Sequence, residues 1–94
     1  MYECHITVEA TQGEHETLNK IAEDFQWKTS HIQNDPLLGK KPYFYFTCHH
    51  MDYNSIFGKM VALRSTLFVF GKQVVREKIE HIVYDTKKTL VANG

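Results

Sequence analysis

Residues 2–9 read Tyr-Glu-Cys-His-Ile-Thr-Val-Glu. Tyr2, Cys4, Ile6 and Val8 alternate with Glu3, His5, Thr7 and Glu9. A period of two sends these sets to opposite faces, so the stretch is a half-buried strand. A helix follows it. Thr11-x-x-Glu14 is a capping-box pattern, and Leu18, Ile21, Ala22 and Phe25 continue at helical spacing to about Gln26. Trp27 to Gln33 reads as a short second strand. Asn34-Asp35-Pro36 breaks it, with Gly39 in the same loop. Pro42 leads into Tyr43 to His50, a third strand rich in aromatic and β-compatible residues. Asp52, Asn54 or Ser55 offers a cap for a second helix. Ile56, Met60, Leu63, Leu67 and Phe70 then form one apolar stripe, and Gly71 suits the helix stop. A fourth strand runs from about Val74 to Tyr84.

The order β-α-β-β-α-β is the ferredoxin-like, or split βαβ, pattern of the α+β class. It predicts a four-stranded antiparallel sheet with both helices on one face and the first strand between the third and fourth. The other face is left open. Residues 1–86 form one domain in this reading, and 87–94 a frayed tail. Ile6, Val8, Leu18, Ile21, Phe25, Phe44, Phe46, Met60, Leu63, Leu67 and Ile79 are the expected core.

The 94 residues balance 11 Lys and Arg against 11 Asp and Glu, for a formal net charge of zero. A polyanion binder driven by its overall field is thereby disfavoured, and any anion site must be a local patch. Cys4 and Cys48 are the only cysteines. Two do not make a disulfide framework, which points to a reducing, cytoplasmic setting. No apolar run approaches the ~20 residues that span a bilayer, so no membrane role is expected.

Function has to be sought on the open face. Alternation places Tyr43, Tyr45, Thr47 and His49 outward on the third strand. On the fourth, Val75, Ile79 and Val83 are expected inward, and Arg76, Lys78 and Glu80 outward. The candidate ligand-binding set is therefore His5, Thr7, Tyr45, Thr47, Arg76, Lys78 and Glu80. An open face is polar in any sheet exposed to water, so polarity alone says little. The residue types say more, because hydroxyls, imidazole, phenol and cations together hydrogen-bond, stack and neutralise phosphate. The expected function is a non-catalytic binding module for a nucleotide or other phosphate-bearing ligand, or for a protein partner. The same face makes a homo-oligomer plausible, because a domain this small buries only about 60–65% of its unfolded surface.

Two alternatives use the same face. His5-x-Thr7 resembles one half of the two-histidine phosphoesterase signature, with His5 as acid or base and Thr7 on a phosphoryl oxygen. The second half is missing, since His81-Ile82-Val83 lacks the hydroxyl and its period turns His81 inward. Lys41 to Cys48 loosely resembles the third-strand octapeptide of RNA-recognition motifs, with Tyr43 and Tyr45 at the stacking positions. Pro42, Phe44 and Cys48 depart from that pattern. No cofactor is implied. A metal site is not expected either. His49 and His50 point to opposite faces, and His5 with His49 makes only two ligands.

Glu3-Cys4-His5-Ile6-Thr7-Val8 and Val75-Arg76-Glu77-Lys78-Ile79-Glu80 together resemble a small family of bacterial and phage proteins. Its members carry ECHITV near the start and VxRxKIE near the end. The resemblance covers the first and last strands and brings no assigned activity. Its implication is geometric. The shared segments are the two strands expected side by side, with His5, Thr7, Arg76, Lys78 and Glu80 on one surface.

Overall fold

The alternation in residues 2–9 becomes strand β1 (Tyr2–Glu9) at the centre of a computed structural model that describes residues 1–32 and 42–83. The other elements are α1 (His15–Phe25), β2 (Lys28–Ile32), β3 (Tyr43–His50), α2 (Tyr53–Val69) and β4 (Val74–His81). The sheet order is β2-β3-β1-β4, and every neighbouring pair is antiparallel. This is the ferredoxin-like arrangement, with β1 between β3 and β4. The expected loop around Asn34 and Gly39, and the expected tail, lie outside the described residues.

The helix ends follow the local chemistry. Thr11 donates to Glu14 Oε1 from its backbone N–H at 2.9 Å and from its hydroxyl at 3.1 Å. A short 3₁₀ turn, Gln12–Glu14, then leads into α1. Gln26 closes α1 in the left-handed region, at φ 63°, and the Trp27 N–H returns to the Ala22 carbonyl at 2.7 Å. Asp52 caps α2 by accepting from the Ser55 N–H and hydroxyl, both at 2.9 Å. Gly71, at φ 75°, ends it as expected, and the Lys72 N–H returns to the Leu67 carbonyl at 2.8 Å. A positive φ is what glycine supplies without steric cost.

The core lies between the sheet and the two helices. Cys4, Ile6, Val8, Phe44, Phe46 and Cys48 come from the sheet. Leu18, Ile21, Ala22, Ile56, Met60, Leu63 and Leu67 come from the helices, and Trp27 closes one end. Phe25 departs from expectation at 36% exposed. It is the last residue of α1, and the left-handed turn at Gln26 hands the buried position to Trp27. Phe70, past the end of α2, is likewise exposed.

Strand β4 carries a second correction. Val75 and Val83 were expected inward but are 47% and 82% exposed. The pairing with β1 shifts between Thr7 and Val8, so that Arg76 faces Thr7 while Val74 faces Val8. Val75 is the extra residue of this bulge. Val74 takes the inward place and packs against the core with Ile79. Glu77, opposite Ile6, falls on the helix-covered side, where the Arg64 guanidinium of α2 donates to it at 2.7 Å. Val83 lies beyond the end of β4.

Candidate functional site on the open sheet face

The register sorts the open face into rows that cross the strands. One row is His49, Glu3 and Glu80. The next is Lys28, Thr47, His5 and Lys78, one residue from each strand. The third is Ser30, Tyr45, Thr7 and Arg76. All seven expected residues therefore lie on one surface, but they are not equally available. Thr7 is only 3% exposed, flanked by the larger Tyr45 and Arg76. The hydroxyl within reach of His5 is that of Thr47, across the strand pair, and not that of Thr7, two residues along. His81 stacks on Tyr2 with ring centres 4.6 Å apart.

Glu3 organises the charged end of the face. Its Oε1 accepts from His5 Nε2 at 2.6 Å, and its Oε2 accepts from His49 Nε2 at 2.5 Å. In neutral His5 the bond to Glu3 requires the proton on Nε2. Nδ1 then accepts from the Thr47 hydroxyl, 3.2 Å away. Glu80 Oε1 lies 3.6 Å from His5 Nε2 and 3.2 Å from Lys78 Nζ. The His5 hydrogen bond holds the Glu3 carboxyl below its ordinary value of 4.5; burial opposes this, and the His49 bond adds to it. The carboxylate is thus a fixed anion between two imidazoles. Neither Glu3 nor His49 was among the expected site residues. Alternation puts Glu3 on the right face, but only the strand register brings His49 opposite it.

A notch opens at the β2 edge of this surface. Pairing of β2 with β3 stops at Lys28 and Thr47, while β3 runs on to His50. The gap is a hollow of about 360 Å³ lined by Gln26, Lys28, Thr47, Cys48, His49, His50 and Lys59. Lys59, one of these residues, donates to the Phe25 carbonyl at 3.0 Å. Among the described residues that line it there is no carboxylate. A larger hollow, about 660 Å³, lies at the far end of α2 beside Phe68, Gly71 and Val74. It holds none of the imidazole and hydroxyl groups of the open face, so the notch is the better candidate for polar recognition.

No protein-family model matches the chain, and no curated protein matches it. Among solved structures, it resembles a putative antibiotic biosynthesis monooxygenase from Deinococcus radiodurans. The TM-score is 0.59 at 12% identity, over 90% of this chain and 95% of the other. At that identity the likeness speaks for the ferredoxin-like fold alone.

Proposed function

We propose that the protein is a non-catalytic binding module that takes a phosphate-bearing ligand at the notch between β2 and β3. The observation that carries this reading is the lining of the notch, which brings together two lysines, the Thr47 hydroxyl and the Gln26 amide. Lysine supplies point charge to a phosphoryl group, and hydroxyl and amide supply directed hydrogen bonds. The rest of the open face suits phosphate less well, because Glu3 and Glu80 stand beside His5 and repel an anion there. Tyr45, one row further along the face from Thr47, offers a ring to the base of a nucleotide. Monooxygenation, named for the Deinococcus radiodurans protein, is not adopted, since one fold hosts many chemistries.

The test is a thermal-shift screen of nucleotides and short RNAs with a parallel turnover assay. A ligand at a hundred times its dissociation constant should stabilise the fold by about 2.7 kcal/mol. Lys28→Ala and Lys59→Ala should each reduce the shift, while Lys78→Ala, on the far side of His5, should keep it. A shift lost in Lys78→Ala but kept in both notch variants would place the ligand elsewhere. Turnover that disappears in His5→Ala, with the fold intact, would replace the binding module with an enzyme.

A further inference from the structure

A cluster on β1 and β4 of the open face has a different chemistry, and it does not depend on the phosphate reading. Glu3, His5 and Glu80 each offer one ligand atom, and these atoms all lie within 4.8 Å of one another. We propose that these three side chains bind a divalent transition-metal ion of the zinc type on the open sheet face.

Bonds of about 2.0–2.2 Å to nitrogen and oxygen place neighbouring ligands of a tetrahedral ion roughly 3.3–3.5 Å apart. The His5 to Glu80 separation of 3.6 Å is already of that size. The His5 to Glu3 separation of 2.6 Å is a hydrogen bond. It opens when the metal takes the place of the proton that the two groups share. The backbones are held by the sheet itself, since Glu3 and Glu80 are direct partners on β1 and β4. His5, two residues along β1, projects from the same face.

The surrounding groups suit such an ion. A metal on Nε2 moves the ring proton to Nδ1, and the Thr47 oxygen 3.2 Å away is placed to accept it. His49 holds the other oxygen of Glu3 at 2.5 Å, which fixes the carboxylate's orientation. Partners of this kind orient metal ligands and tune affinity. Two carboxylates neutralise the ion's charge, and one imidazole with two carboxylates favours a borderline metal over a soft one. Three protein ligands leave a fourth position open to the solvent side. Lys78 is the competitor. Its ammonium sits 3.2 Å from the Glu80 oxygen that the metal needs. The apo face is therefore closed by an ammonium and a shared proton, both of which the ion displaces.

The experiment is titration of the chelator-treated full chain with Zn²⁺ by calorimetry, and with Co²⁺ followed by visible absorption. One ion per chain is expected, with the intense Co²⁺ bands of low coordination number. Glu80→Gln, at an exposed position, and His5→Ala should each weaken binding by about tenfold or more. Lys78→Ala should tighten it, a response that a nonspecific histidine site would not give. Circular dichroism on each variant confirms that the fold is kept. The proposal fails if no stoichiometric ion binds. It also fails if folded Glu80→Gln and His5→Ala bind as the parent does, or if Lys78→Ala leaves affinity unchanged.

Discussion

At the scale of single residues, the two thiols show how burial decides reactivity. Cys4 and Cys48 face each other across β1 and β3 on the helix-covered side. Burial, assisted by Cys48 and Glu77, pushes the Cys4 thiol up to about 12. Burial also pushes Cys48 up to about 11, against the opposing charge of Lys59. Both values lie above the ordinary 9.0, so the folded chain keeps neutral thiols where the unfolded chain ionises them. The resulting stabilisation is complete below pH 9 and is lost as pH rises towards 11–12. Denaturation measured from pH 8 upward should show this loss, and a Cys4→Ala, Cys48→Ala double variant should show less of it. At pH 8, iodoacetamide should label either cysteine more than about a hundredfold more slowly than an exposed thiol. Denaturant should restore the rate. Rapid labelling of the native chain would contradict the buried positions.

The inward placing of these cysteines was legible from alternation alone, as was the outward placing of His5, Thr47 and Lys78. The state of each outward residue was not. Thr7 is sheltered by neighbours on two other strands. Glu3 becomes central only because His49 lies opposite it. Period two assigns a face, whereas contact depends on register, which the alternation of a single strand does not contain.

At the scale of elements, helix ends were legible where side chains cap them, as at Thr11 and Asp52, or where a glycine takes a positive φ, as at Gly71. Strand β4 was misread only at its start, where the bulge turns Val74 inward in place of Val75 and no side chain near Val75 announces it; from Arg76 to Glu80 the expected faces hold. The end of α1 supports a direct test. Gln26 sits at φ 63°, a region that costs a residue with a Cβ roughly 1–2 kcal/mol. Gln26→Gly removes that cost but adds backbone entropy to the unfolded chain, which takes back roughly 0.5–1 kcal/mol. A net gain of between zero and about 1.5 kcal/mol in urea denaturation is expected. A loss instead would mean that the Gln26 side chain contributes more than its backbone strain costs.

At the scale of the whole molecule, stability rests on one layer of side chains between the sheet and two helices. A domain of 94 residues has a total stability of roughly 5–14 kcal/mol. Phe46 is fully buried opposite Ile6, with its ring centre 5.1 Å from that of Phe44. Truncation of Phe46 removes a ring from the middle of the layer, where neighbours on two strands and two helices cannot all collapse into the space. Phe46→Ala should therefore cost roughly 3–5 kcal/mol, and Phe44→Ala a similar amount. Either loss is a large fraction of the total and should lower the melting temperature by more than about 10 °C. Phe68, which is 79% exposed on α2, is the control. Phe68→Ala changes the same side chain with little change in burial, so its effect should stay within about 0.5 kcal/mol. Equal destabilisation of the Phe46 and Phe68 variants would show that hydrophobic content, and not this packed layer, sets the stability of the fold.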